Sequence, residues 1–416
     1  MNAPKDRTRL RFLPGSLAAL LLFTSALSYS AGTAGAADWP QWRGPNRDGI
    51  SAEAGWSSTW PAGGPKVLWK ASLGQGCSSF SVVGEQVFTM GNDKDTGIVY
   101  CLAAKTGSVV WKHTYPSKLD PKLFDGGQCA TPTVDGDRVF TLGRQGQLFC
   151  LNKATGAVVW SKDLVKDFGV KLGDWGYAGS PLVVGNLLMI DVGGKGASAV
   201  AFDKATGKVA WQAGDDAQSY ASPVAFVHNG KQRVAFFNAF GLVVREAADG
   251  KEILRFPWKT QYDINAATPI IADGNILIAS GYGHGAALIP LGSANPTPVW
   301  QNKNMKNKIN SCVLWKGDLY GFDEGTLTCM DFATGAVKWK QGGLGLGSLM
   351  LADGKLIVLA EKGDLVIAEA SPAAFKELAR TPAVAGTTWV SPVLANGSIY
   401  CRNNKGEAVC FDVSGK

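Results

Sequence analysis

The sequence predicts an all-β protein, an eight-bladed β-propeller of four-stranded antiparallel blades. Three observations predict it: a motif recurring at intervals of 39 to 51 residues, glycine turn signals between short apolar runs, and partial blades at opposite ends of the chain.

The motif is clearest in "AKTGSVVW", "KATGAVVW", "KATGKVAW" and "FATGAVKW", which end at Trp111, Trp160, Trp211 and Trp339. Weaker copies end at Phe256, Trp300 and Leu378. Within one unit, "CATPTVDGDRVFTLGRQGQLFCLNKATGAVVWSKDL", the apolar runs are separated by Asp135-Gly136, Gln145-Gly146 and Thr155-Gly156. Glycine supplies the positive φ that tight hairpins demand, so four strands joined by three turns are expected. The closing tryptophan is expected to lie flat between its own blade and the next, burying a large area that one twisted sheet cannot bury alone.

Eight inner strands can be counted, from "SSFSVVGEQVF" to "VSPVLANGSIY". The last is followed only by "KGEAVCFDVSGK", a third strand with no fourth, while an unmatched outer strand, "KVLWKASL" around Trp69, precedes the first. The two fragments complete each other. Pairing the N-terminal strand with the C-terminal blade closes the ring and removes an exposed edge.

The chain begins with Lys5, Arg7, Arg9 and Arg11, then the apolar run "LAALLLFTSAL", then small residues at Ala34 to Ala36. This is the pattern of a cleaved secretory signal, too short to span a bilayer, and it predicts a periplasmic or secreted location. The expected organisation is a signal peptide over 1–36, an N-terminal strap over 37–65 and the propeller over 66–416. No transmembrane segment is expected, nor a lipid anchor, because the nearest cysteine to the cleavage site is Cys77. The strap, "ADWPQWRGPNRDGIS" and beyond, is expected to pack its aromatic side chains across the seam or over one end of the central channel.

The formal charge is +7, and setting residues 1–36 aside removes four basic residues and one acidic residue to leave +4. With no block of like charges, the balance gives nucleic-acid binding no support. No P-loop, Rossmann or G-x-S-x-G pattern stands in a strand-to-helix context, and His113, His228 and His284 lack metal-ligand spacing.

The unit "ATPTVDGDRVFTLGRQGQLFCLNKATGAVVW" resembles the pyrroloquinoline-quinone-type (PQQ-like) propeller repeat, over nearly all of the chain beyond the leader. The segment "DWPQWRGPNRDG" also looks like the start of many exported bacterial proteins of that group. The resemblance implies one of two functions: a quinoprotein dehydrogenase, or a non-enzymatic scaffold similar to the outer-membrane assembly factor BamB. Those dehydrogenases carry a disulfide between adjacent cysteines over the quinone, and extra loops that build a calcium and quinone pocket. This sequence has no Cys-Cys dipeptide and its blades are short. No bound cofactor and no metal are therefore expected, and no catalytic residue is assigned.

The candidate binding residues lie on loops that open at one face of the ring, where function concentrates. They are Asp174, Trp175 and Tyr177; Asp216 and Tyr220; Tyr262, Asp263 and Asn265; His284; Lys306 and Lys308; and Trp389. Together they would make a pore-mouth pocket with an aromatic wall and both signs of charge. A polysaccharide-cleaving enzyme would instead need Asp174, Asp216 and Asp263 to converge.

The eight cysteines fall two to a blade: Cys77 with Cys101, Cys129 with Cys150, Cys312 with Cys329, and Cys401 with Cys410. A two-residue turn at Lys405-Gly406 would set Cys401 opposite Cys410, within disulfide reach, while the other pairs are expected to be too far apart. The reading is an exported, monomeric binding or scaffold module whose partner is a protein or another component of the cell envelope.

Overall fold

The computed structural model describes Met1 and residues 37–61, 63–121 and 124–415. The rest of the expected signal peptide lies outside the described residues. Among the described residues the strands form eight sheets, seven of four strands and one of five. Blade 1 is the pattern for the others: Ser81–Val83, Gln86–Asp93, Thr96–Ala103 and Val109–Pro116, each strand antiparallel to the one before. Blades 2 to 7 span 133–163, 182–213, 224–257, 270–302, 313–341 and 348–382. Blade 8 takes three strands from 393–412, and its outer strand is Lys66–Ser72, antiparallel to Glu407–Asp412 with Trp69 opposite Cys410. The ring closes as its two incomplete ends require.

Closure is reinforced by Arg402, whose side chain is fully buried. From blade 8 its guanidinium donates to Ser78 O (3.1 Å), Thr89 Oγ1 (2.9 Å), Met90 O (2.8 Å) and Gly74 O (2.9 Å) on the blade 1 side. Burial pulls its pKa down to about 10, which leaves it cationic at neutral pH.

The repeat motif has a physical explanation at the seams. The Nε1–H of Trp69, Trp111, Trp160, Trp211, Trp300 and Trp339 donates, respectively, to Ala104, Lys153, Lys204, Ala247, Phe332 and Ser371 carbonyls at 2.7 to 3.0 Å. Each acceptor belongs to the following blade. In the first five of these seams the ring also lies on the turn glycine of that blade; a Cβ on Gly156, for example, would stand 2.5 Å from the Trp111 ring. Gly156 has φ +73, so the Thr-Gly turn is needed for its conformation and for the missing side chain together.

The strap does more than cover a seam or one end of the channel: it threads the channel and touches every blade. Trp39 bridges Val82 of blade 1, and Pro40 O accepts from Val134 N of blade 2 at 2.8 Å. Arg47 donates to the carbonyls of Ser180 (3.3 Å) and Pro181 in blade 3 and Pro223 (3.0 Å) entering blade 4. Trp42 Nε1 donates to Thr268 Oγ1 before blade 5 (2.8 Å), and Arg43 Nη2 to Cys312 O before blade 6 (2.5 Å). Ile50–Ser51 adds a parallel fifth strand to blade 7, and the Glu53 carboxylate accepts from Asn396 N and from Gly397 N (3.0 Å) in blade 8. Arg43 and Arg47 are 4% and 3% exposed, and burial lowers their pKa values to about 10 and about 9. Backbone carbonyls at the entries of blades 3 and 4 converge on Arg47 in place of a counter-ion.

One expectation is corrected here. Cys401 stands opposite Val409, and Cys410 opposite Tyr400, so the two cysteines are a residue out of register and leave opposite faces of the sheet. The loop has three residues, Asn404, Lys405 and Gly406, closed by Asn403 N to Glu407 O (3.0 Å), with Gly406 at φ +92. One extra loop residue shifts the pairing by one and turns the thiols apart. Both are free and buried.

Candidate binding cavity at the loop face

Loops entering all eight blades converge on a cavity of about 210 Å³ at the mouth of the channel. Its wall includes Cys77, Phe124, Cys129, Trp175, Tyr220, Tyr282, Lys308 and Trp389, and Trp42 of the strap also lines it. The rings are held in place by one another and by the backbone. Trp175 meets Tyr220 edge to face at 5.5 Å, and Lys308 Nζ lies 4.9 Å from the Tyr282 centroid. Trp389 is fixed from below, its N–H donating to Asn404 Oδ1 at 3.0 Å and its Nε1 to Glu361 Oε1 at 3.5 Å.

Of the twelve residues singled out from the sequence, Trp175, Tyr220, Lys308 and Trp389 line this cavity. The others do different work. Tyr177 is buried with its hydroxyl donating to Val192 O (2.7 Å), and Asn265 is fully buried, donating to Asn238 O and accepting from Ser280 Oγ. Asp216 is clamped by Arg255 at 2.8 and 3.1 Å, and Asp263 pairs with Lys259. Lys306 Nζ lies 3.0 Å from Asp323, and Asp174 accepts an Arg144 bond through its main-chain oxygen. Tyr262 is exposed on the rim, edge to face with Tyr282 at 5.6 Å, and His284 packs edge-on against Trp258 at 4.4 Å. Burial lowers the His284 pKa, and the nearby Lys303 adds to the effect.

Asp174, Asp216 and Asp263, whose convergence a polysaccharide-cleaving enzyme would need, do not meet in the wall, which carries no Asp or Glu and one lysine. Both signs of charge were expected, and only the positive one is there. Among the described residues no three His, Cys, Asp or Glu side chains are grouped to hold a metal ion, and no helix is long and apolar enough to cross a membrane. Sequence reasoning missed Trp42, Phe124, Tyr282 and the two cysteines. Tyr282 lies in the hairpin that also carries His284, so it was within reach of the same argument. Trp42 belongs to the strap that was expected to lay its aromatic side chains across the seam or over one end of the channel, but it was not named among the site residues.

The comparisons agree with this architecture. Residues 95–341 match the family described as outer membrane protein assembly factor BamB. No curated protein matches the chain. Among solved structures, the quinohemoprotein alcohol dehydrogenase of Comamonas testosteroni superposes with a TM-score of 0.69 at 14% identity, covering 91% of this chain and 81% of that one. A europium-containing methanol dehydrogenase gives 0.65 at 11% identity, over 90% of this chain and 89% of the other. The designed protein Ika8 gives 0.60 at 11%, over 84% of this chain and all of its own. At such identities these likenesses speak for the fold alone. The family match covers more than half of the sequence, and the chain belongs to the PQQ-like propeller family described by that assembly factor.

Proposed function

We propose that the protein is an exported, non-enzymatic binding module that works in the assembly of outer membrane proteins and receives an aromatic side chain of its partner in the loop-face cavity. The observation that carries this reading is the wall itself, aromatic on several sides and free of carboxylates. Strands destined for an outer membrane carry girdles of aromatic residues, and a ring of Trp and Tyr offers edge and face contacts to such a side chain. Strap and blades hold the wall by buried hydrogen bonds, which gives a partner a preformed site at little cost in ordering.

The dehydrogenase alternative calls for a quinone with its calcium. The quinone is a flat tricarboxylate and calcium takes oxygen ligands, carboxylates above all. A wall with one lysine and no Asp or Glu does not fit that pair.

Calorimetric titration decides between the readings. Peptides copied from strand ends of outer membrane proteins are expected to bind, with Trp175→Ala and Trp389→Ala weakening binding about tenfold or more. Saturable binding of pyrroloquinoline quinone, with or without calcium, would overturn the proposal.

A further inference from the structure

Six of the eight cysteines are buried, and Cys77 and Cys129 are the two that are not. Both line the loop-face cavity. They come from different blades: Cys77 precedes the inner strand of blade 1, and Cys129 precedes that of blade 2. The intervening chain is long, but the backbone locks them side by side. Gly76 bridges Gln128 in parallel, and Gln128 O accepts from Cys77 N at 2.8 Å and from Ser78 N at 3.1 Å. Parallel pairing of residues 76 and 128 places the next residues, 77 and 129, opposite each other with side chains on one face. The spacing between paired strands is about 4.8 Å, within the Cα separation of about 4.4 to 6.8 Å that a disulfide accepts.

The close approach is built from glycines. A Cβ on Gly76 would stand 2.3 Å from Gln128 O, and one on Gly127 2.2 Å from Gln75 O. The runs "GQGC" and "GGQC" are thus the two halves of one contact.

We propose that Cys77 and Cys129 form a reversible disulfide in the cavity wall, joining the entry loops of blades 1 and 2. The chemistry is exchange with an external disulfide, R–S–S–R. The Cys129 thiolate attacks one sulfur of that bond, giving a mixed disulfide and releasing R–S⁻. Cys77, losing its proton to solvent, attacks Cys129 Sγ and releases the second R–S⁻. The protein loses two thiol hydrogens and the external disulfide is reduced to two thiols. Cys129 is assigned as the attacking group because the hydrogen bond with Cys77 lowers its thiol and the positive charge of Arg144 acts on it, whereas Arg402 acts on both cysteines. Cys77 is raised by the same hydrogen bond.

The assignment does not depend on the proposed function. Its test is to treat the folded protein with oxidised glutathione, alkylate the remaining thiols, denature, alkylate again with a second reagent and map the tryptic peptides. Cys77 and Cys129 lie on separate single-cysteine fragments, residues 71–94 and 123–138. The expected product joins those two fragments and is lost on adding dithiothreitol, while the other six cysteines take only the second reagent. Cys77→Ser is expected to stop at a glutathione adduct on Cys129, and Cys129→Ser to form the adduct on Cys77 at least several-fold more slowly; equal rates would remove Cys129 as the attacking thiol. Separate alkylation of both cysteines in the folded wild type, or a linked pair other than this one, would overturn the assignment, and neither readout requires a variant to fold.

Discussion

The seams of the ring are of two kinds, and the contrast explains the repeat. Six are clasped by a tryptophan that donates to the next blade, and the seams after blades 4 and 7 are not. Where the clasp is missing, the tryptophan and its receiving turn are missing together. Blade 4 sets Leu254 at the register position that tryptophan holds elsewhere, opposite Val244 and just beyond the bulge, and blade 5 has "IPLGSANP" where blades 1, 2, 3 and 6 have a Thr-Gly turn. A gap of about 180 Å³, lined by Leu254, Leu291 and Ala294 among others, lies beside that seam. Blade 8 has no third-to-fourth turn at all, because its fourth strand comes from the other end of the chain. There blade 7 has Ala379 at the tryptophan position, and the strap supplies Trp56, which packs in the same cluster and is 5% exposed. Tryptophan and turn glycine thus go together in five seams, and in the sixth Trp339 keeps its hydrogen bond to Ser371 O although blade 7 has "SPAAFKE" in place of the glycine turn.

That reading can be broken most directly at a clasped seam. Trp111→Ala is expected to cost about 3–5 kcal/mol in urea unfolding, as removal of a buried tryptophan does elsewhere. Leu254→Ala, at the equivalent position and lining the existing gap, should cost less; equal losses would erase the distinction. Next in size is Gly156→Ala, which combines a positive φ with a methyl 2.5 Å from the Trp111 ring and is expected to cost about 2 kcal/mol. The hydrogen bond alone is probed by phenylalanine. Trp111→Phe leaves Lys153 O without its donor and is expected to cost about 1 kcal/mol more than Trp56→Phe, because the buried Trp56 Nε1 has no partner to lose.

A smaller effect lies inside the clasped seam between blades 3 and 4. Asp191 is 8% exposed, Oδ2 accepts from Ser219 N at 3.2 Å, and Oδ1 has no partner. Burial, far more than any neighbour, raises its pKa to about 8. The folded chain therefore holds a proton that the unfolded chain releases between about pH 4 and pH 8, and this contribution to stability is lost as the pH rises through that window. Thermal unfolding at pH 5 and pH 8.5 should show Asp191→Asn closing part of the wild-type difference. An unchanged difference would mean that Asp191 ionises normally in the fold.

The ring was legible because most blades repeat the same local chemistry: turn glycines, short apolar strands and, in six outer strands, a tryptophan. Closure was legible from arithmetic, a strand missing at one end and spare at the other. What escaped was whatever depends on register or on contacts between distant segments. The sulfur pairing is one example: grouping cysteines by blade joined Cys77 to Cys101, whereas the real neighbour, Cys129, enters from the next blade. Arg43 and Arg47 are another. Nothing in the local sequence marks an arginine that will satisfy itself on main-chain oxygens of the blades and of the strap itself. In the site, aromatic residues of the loops were found, but their carboxylate neighbours turned to structural ion pairs, a choice made by Arg255 and Lys259 rather than by any motif.

The threaded strap also fixes an order of events. Its complete binding place is the axis of the finished ring, lined by residues from Val82 to Gly397, so the strap is expected to settle fully only after the last blade has formed. Residues 37–53 precede all the blades in the chain and yet are expected to settle fully only after them. Contacts between such distant parts of the sequence close late and slowly. Until then Trp39, Trp42 and the inner edges of all eight blades stay open together, so the last step of folding seals both ends of the chain at once.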